Sequence, residues 1–406
     1  KYQTGQLQGI LRKHRRSGVR RILIDEKSMM NGHQLTYIAR AVDEVNKPRD
    51  KSLEATGTGD DYGDEPEEIQ PQIGITLVGD FGQLPPVPDE DPKTGRKQPT
   101  FFCFDSPEWK RFADHTTTLT KIYRQDNQAF VAALHAVRKA EIVPALRYFT
   151  PDRFSQRTDD EFDGTTIFAT NAEVDRYNQL RLDKLHTPEI HFPTVRKGQQ
   201  RPDWKNIPNV LSLKEGSLIM LLSNHRIYES EEDSVGKIVY ANGDLGYLRG
   251  PSEYSSGWIV TLQRTGMDVD VVPIVRENTI PLEPGRKAEL RLKAAQDLGA
   301  ASPDDCLPWD LKMSLAKYLT EDGRKEIIGT VFYMPMRCAY GCTVHKTQGL
   351  TLDRVQVNLA APFFRQPGML FVALSRARTI EGLKIVGSQT GFIERCRIEP
   401  RVLPWL

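Results

Sequence analysis

The sequence predicts an α/β fold built on parallel sheets, with a β-rich insertion. Short apolar runs at 21–24 and 75–78 each end in polar groups, Asp25-Glu26 and Gly79-Asp80. Strands buried on both faces read this way, and open parallel sheets carry their sites at the carboxyl edge. From about 216 to 275 the pattern changes to short strands separated by Asn-Gly, Gly-Pro and Ser-Ser-Gly turns. That spacing predicts a small barrel or another β-rich module.

The elements follow in order. A basic cluster (Arg12, Lys13, His14, Arg15, Arg16, Arg20, Arg21) precedes the first strand. Leu35, Ile38, Ala39 and Val42 recur at helical spacing and predict a helix over 31–45. Residues 48–71 are rich in Gly, Asp, Glu and Pro and read as a solvated, mobile acidic loop. After 119–125 a helix is expected from Asn127 to about Glu141. The strand 165–169 and helix 171–186 open a second α/β unit. Residues 276–330 are charged and turn-rich without a firm pattern. Strand character returns at 331–340, and the α/β pattern continues through 355–359 and 383–386. There is no internal repeat.

Composition narrows the function. A chain of 406 residues is long enough for two or three domains with real cores. A net charge of +1 gives no global electrostatic footprint, so any nucleic-acid contact must come from local grooves. Five widely spaced cysteines argue against a disulfide framework and for a reducing compartment. Cys338 and Cys342 lack a second Cys/His pair at zinc-ligand spacing and read as thiols beside a strand. No run is long and apolar enough for a membrane span, and no signal peptide is visible. The chain begins at Lys1 rather than Met and reads as a fragment of something longer.

Five segments carry chemistry. Asp25-Glu26 at a strand end suits a magnesium-nucleotide site, the first carboxylate for the metal and the second to deprotonate water. Gln83 can sense a γ-phosphate without adding negative charge, on a loop stiffened by Pro85 and Pro86. Arg124 and Arg376 are candidate arginine fingers, since a planar guanidinium spans two phosphoryl oxygens. In His345-Lys346-Thr347-Gln348-Gly349, three polar side chains can contact DNA phosphates while Gly349 permits close backbone approach. Taken singly, each has a plainer reading as surface acids, a Pro-rich turn, an ion-paired arginine or an ordinary turn. Together and in this order they point to a nucleic-acid motor.

The set resembles the superfamily 1 DNA helicases of the Pif/RecD type, which translocate 5′→3′. The resemblance rests on Ile24 to Met29, Gly79 to Val87, Tyr123-Arg124-Gln125, Thr343 to Thr351 and Val372 to Arg378. Ala169-Thr170-Asn171 and Asn242 to Gly246 fit intermediate blocks. It covers nearly the whole chain.

The resemblance implies two RecA-like P-loop NTPase lobes, the first truncated, with a β-rich, SH3-like insertion in the second. The expected boundaries are 1–115 for lobe 1, 116–215 with 331–406 for lobe 2, and 216–330 for the insertion. It implies ATP and Mg2+ as cofactors. Glu26, Gln83, Arg124 and Arg376 would be catalytic; Asp25, Asp80 and Gly349 would bind nucleotide, Asp25 also the metal. Asn171, Thr343, His345, Lys346, Thr347 and Gln348 would meet DNA. Implied partners are single-stranded DNA and duplex junctions, without a membrane, for a protein acting as a monomer. The implied location is intracellular: cytoplasmic in a prokaryote or virus-infected cell, nuclear or mitochondrial in a eukaryote.

Two features depart from the family. No Gly-x-x-x-x-Gly-Lys-Ser/Thr phosphate loop occurs; Gly95-Arg96-Lys97 and Gly236-Lys237 lack its leading glycine and hydroxyl. In the family this loop lies upstream of the Asp-Glu pair, so it would precede Lys1. Lys27 stands where the family carries an apolar residue. The competing readings are the helicase portion of a larger relaxase, transposase or recombination enzyme, and a single-stranded DNA-binding module that has abandoned hydrolysis.

Overall fold

A computed structural model describes residues 5–16, 18–47, 72–91, 93–227, 236–282, 285–359 and 364–406. The acidic loop read at 48–71 lies outside the described residues. The chain divides into two compact units, Lys1–Asn171 with Cys342–Leu406, and Ala172–Gly341.

The first unit opens with α1 (Gln6–Arg16), β1 (Arg21–Ile24), α2 (Gly32–Asn46) and β2 (Gly74–Leu77). Helix α1 was hidden in the sequence by its positive charge. Leu7 and Leu11 lie four apart, on one helical face, and pack with Val42, Val45 and Ile73. Asn31 caps α2 reciprocally: its side chain accepts from the Gln34 N–H, and its own N–H donates to the Gln34 side chain. Such a cap is worth about 1 kcal/mol. Strands β1 and β2 pair in parallel, with Ile22 opposite Ile75 and Ile24 opposite Leu77. Beyond them a short helix α3 (Lys110–Ala113) follows Trp109, which joins Phe81, Phe102 and Val402 in an aromatic-rich core.

Helices α4 (Gln128–Arg138) and α5 (Ile142–Tyr148) come next. The expected single helix to about Glu141 stops early because Ala140 turns left-handed, at φ 55°. Glycine is the usual residue there, so alanine gave no stop signal. Then come β3 (Phe154–Ser155), β4 (Thr165–Phe168) and α6 (Asn171–Asp183), which leads into the second unit.

The second unit is mostly antiparallel. Its strands are β5 (Glu189–Pro193), β6 (Val195–Gly198), β7 (Val210–Lys214), β8 (Leu218–Leu221), β9 (His225–Ile227), β10 (Lys237–Tyr240), β11 (Leu245–Pro251), β12 (Trp258–Leu262) and β13 (Asp268–Val271). Next come β14 (Ile274–Pro281), α7 (Arg286–Gln296), α8 (Pro308–Leu315), β15 (Lys325–Tyr333) and β16 (Met336–Cys338). One sheet has the order β13-β12-β11-β8-β16 and another β14-β15-β6. Leu213, Ile219, Leu221, Leu248, Val260 and Val271 share one core.

Two expectations shift here. The pattern at 276–330 is a long hairpin, β14 with β15, interrupted by α7 and α8, which have their own small core of Ala294, Ala295 and Leu311. The strand character at 331–340 does not mark a return to the parallel sheet. β15 pairs with β14 and β6, and β16 with β8. An apolar run announces burial but not its partner.

The chain re-enters the first unit with β17 (Gly341–Thr343), α9 (Val344–Thr347), β18 (Val355–Asn358), α10 (Met369–Leu374), β19 (Leu383–Val386) and α11 (Gln389–Arg395). The sheet order is β17-β4-β18-β19-β3, with β18 parallel to both β4 and β19, and β19 parallel to β3. Ile167, Val355, Val357 and Ile385 are buried in it. Ile167→Ala should cost about 2–5 kcal/mol, as core Ile-to-Ala truncations do. Urea denaturation should show a lower midpoint at unchanged m-value.

Candidate active site

The site is built on the backbone after β1. Glu26 sits at φ 53°, in the left-handed region. Such strain persists only where the surroundings over-determine it. Here the Lys27 N–H donates to the Val78 carbonyl at 2.9 Å, and the Val78 N–H to the Ile24 carbonyl at 2.8 Å. The Glu26 N–H donates to Asp25 Oδ1 at 2.8 Å. Gly79, at φ 137°, closes the turn; a Cβ there would lie 2.7 Å from the Lys27 nitrogen, so no side chain fits. Asp25 is left exposed and Glu26 half-buried.

Three polar side chains then meet within the first unit. Gln348 Nε2 donates to Glu26 Oε2 at 2.7 Å and lies 3.4 Å from Gln83 Oε1. Arg124 donates from Nε to Thr351 Oγ1 at 2.9 Å and from Nη1 to the Ser375 carbonyl at 3.3 Å. Arg376 is almost fully buried. Its guanidinium reaches the carbonyls of Val372, Thr347 and Leu350 and the Ser375 hydroxyl. Burial lowers the Arg376 pKa, the Arg124 charge lowers it further, and Glu26 pulls the other way. Burial also lowers Arg124, again opposed by Glu26. Both arginines therefore feel the Glu26 carboxylate. A cleft of about 1570 Å³ is lined in part by Gly79, Asp80, Gln83, Arg124 and Arg376.

Sequence reasoning placed Gln125 in the segment 123–125 but gave it no role. It is buried, and its Nε2 donates to the Ser375 and Ala377 carbonyls at 3.0 and 2.8 Å, clamping the segment that carries Arg376.

Several expected site residues have partners within the protein. Asp80 is not a free nucleotide ligand: Arg138 grips it at 2.7 and 2.9 Å, and the Gly82 N–H donates to it at 2.8 Å. This carboxylate ties the Gln83 loop to α4. Gln348, expected against DNA, is bonded to Glu26. Thr343 and Thr347 are buried, and the Thr347 hydroxyl donates to the Val344 carbonyl. The cause is local: 344–347 forms a helical turn, so successive side chains take different faces, where an open turn would have shown them all. His345, Lys346 and Asn171 are exposed, and Gly349 adopts φ 79° with open space around it.

Lys27 turns toward the aromatic core, its Nζ 4.9 Å from the Phe81 ring centre and 5.9 Å from that of Trp109. Burial lowers its pKa, and the Asp80 charge partly offsets this. A lysine thus occupies an apolar place by laying its charge over ring faces. Among the described residues no group of three His, Cys, Asp or Glu side chains could hold a metal ion. Asp25 alone suits a magnesium ion that takes its remaining ligands from phosphate and water.

The parallel α/β sheets that carry these acids, glutamine and arginines are RecA-like in fold, similar to solved structures of Pif1 helicases. The chain is homologous to helicases of the Pif1 type. It is 26% identical over 407 residues to the ATP-dependent DNA helicase RRM3 of Saccharomyces cerevisiae, covering 92% of this chain and 52% of that protein. The structure of Pif1 helicase from Candida albicans matches with a TM-score of 0.61 at 20% identity, over 100% of this chain and 80% of that one. A Bacteroides Pif1 helicase in complex with ADP-AlF3 and ssDNA matches with a TM-score of 0.55 at 23% identity, over 96% and 74%. The chain spans about half the length of the curated relatives RRM3 and human PIF1. No family model matches it.

Partial desolvation lowers the pKa of the exposed His345 ring. Its ring protons should titrate in NMR below the ordinary value of about 6.5. The unfolded chain then binds this proton at higher pH than the native one, so the His345 contribution to stability falls as pH drops below that ordinary value. His345→Asn should flatten that acid-side slope in denaturation experiments.

Proposed function

We propose that this chain is the motor portion of an ATP-dependent DNA helicase that moves 5′→3′ on single-stranded DNA. The observation that carries the reading is the meeting of Glu26, Gln83 and Gln348 beside Arg124 and Arg376 in one unit. Glu26 takes the proton of the attacking water, and Gln83 senses the γ-phosphate. Arg124 and Arg376 neutralise charge built up in transfer. Bound magnesium would neutralise phosphate charge, with Asp25 as its carboxylate. The relatives' name as ATP-dependent DNA helicases and the Bacteroides complex with ADP-AlF3 and ssDNA support the assignment. His345, Lys346 and Asn171 are the side chains we assign to DNA, preferring single strands at duplex junctions. We read the sheets of the first unit as two RecA-like lobes and the sheet β13-β12-β11-β8-β16 as SH3-like. The working form in this reading is an intracellular monomer.

A second reading is a DNA-binding module without hydrolysis. ATP turnover by the full-length protein decides between them. In that protein Glu26→Gln should abolish DNA-stimulated hydrolysis yet keep nucleotide binding. Arg376→Ala should slow turnover by about 10³-fold or more. Near-normal turnover in either variant refutes that residue's role.

The 406 residues by themselves should bind ATP weakly, because nothing in them supplies the loop's amide nest and lysine. Their affinity for a labelled oligonucleotide should fall steeply with salt and change little with sequence. Lys346→Ala should weaken it and reduce the salt slope by about one phosphate contact. Binding that ignores both salt and this substitution takes the 344–349 turn out of the DNA path.

A further inference from the structure

We propose that Gln348 is a positioning residue that latches Glu26 until DNA engages the other face of the same turn. The proposal rests on the reading of Glu26 as the base. Gln348 Nε2 donates to Glu26 Oε2 at 2.7 Å, which holds the carboxylate in one orientation and, by favouring its charged form, makes it a weaker base toward water. The same nitrogen lies 3.4 Å from Gln83 Oε1, so the acid and the sensing glutamine share one donor.

The latch is built to release. Gln348 Oε1 is buried and has no partner among the described residues. An unpaired buried acceptor disfavours the arrangement that hides it. Gly349 follows at once, at φ 79° and in open space, and gives the backbone a pivot. On the N-terminal side, the exposed His345 and Lys346 lie three and two residues away in the turn we assign to DNA.

The segment also reaches the arginine. The carbonyls of Thr347 and Leu350 accept from Arg376 Nη1. Residues 347–350 therefore touch the acid through a side chain and the finger through two backbone oxygens. A displacement begun by phosphates at Lys346 would free Glu26 and loosen the buried Arg376 in one movement. DNA stimulation of hydrolysis would then come from releasing a restrained base.

The test uses the full-length protein and compares ATP turnover without DNA and at saturating oligo-dT. Gln348→Met keeps the side-chain volume without the donor, and Gln348→Ala removes both. Each should raise DNA-free turnover by about 10-fold, the scale of one hydrogen bond to a charged group. DNA-saturated kcat should change far less, so the stimulation ratio collapses. Agreement between the two variants separates loss of the donor from a packing defect. Unchanged DNA-free turnover in Gln348→Met overturns the latch, and so does an equal fall with and without DNA, which would make Gln348 part of the chemistry. If Glu26→Gln keeps normal turnover, the functional reading fails. If Glu26→Gln is inactive but the Gln348 variants keep the wild-type ratio, only the latch fails.

Discussion

At Glu26 the backbone turns left-handed directly after β1, and the placement of the charged groups in the site follows from that turn. Parallel pairing of β1 with β2 holds it on one side, through bonds that continue past the strand ends to Val78 and Lys27. Gly79 allows it on the other, since any side chain there would strike the Lys27 amide. A non-glycine residue in this region is disfavoured, and such strain collects where geometry matters more than stability. The consequence is a carboxylate offered to Gln348 from a sequence separation of 322 residues.

Burying Arg376 raises a second physical question, because an unpaired buried charge is expensive. Among the described residues no carboxylate bonds directly to its guanidinium; three carbonyls and a hydroxyl do. These dipoles substitute for water while leaving the net charge uncancelled, which suits a group meant to meet phosphate. Gln125 fixes the same stretch by occupying the Ser375 and Ala377 carbonyls. Asp80, by contrast, is fully committed to Arg138, an arrangement that gives the Gln83 loop a fixed floor. Two acids at neighbouring strand ends thus have different partners: Glu26 a neutral glutamine, Asp80 a charged arginine.

The second unit obeys different rules. Its antiparallel strands enclose their own core, and α7 with α8 forms a still smaller one on the hairpin of β14 and β15. Charged stretches such as 276–330 carry little periodic signal because their helices bury few apolar residues. Only pairing across the hairpin reveals why the chain leaves and returns there.

The sequence by itself determined the class of fold and the segments that carry the candidate site. Apolar four-residue runs ending in acids marked β1 and β2, helical spacing marked α2, and the Asp25-Glu26, Gln83, Arg124 and Arg376 segments stood out as chemistry. These signals are local: periodicity, a strand end, a residue type. Tertiary structure decided what depends on partners distant along the chain. The sequence cannot show that Asp80 is spent on Arg138, that Gln348 faces Glu26, or that Thr347 is buried while Lys346 is exposed. Nor can it show that the strands at 331–338 join the antiparallel sheets. In each case the residue type permits either role, and the choice is made by which hydrogen-bonding group folding brings within about 3 Å.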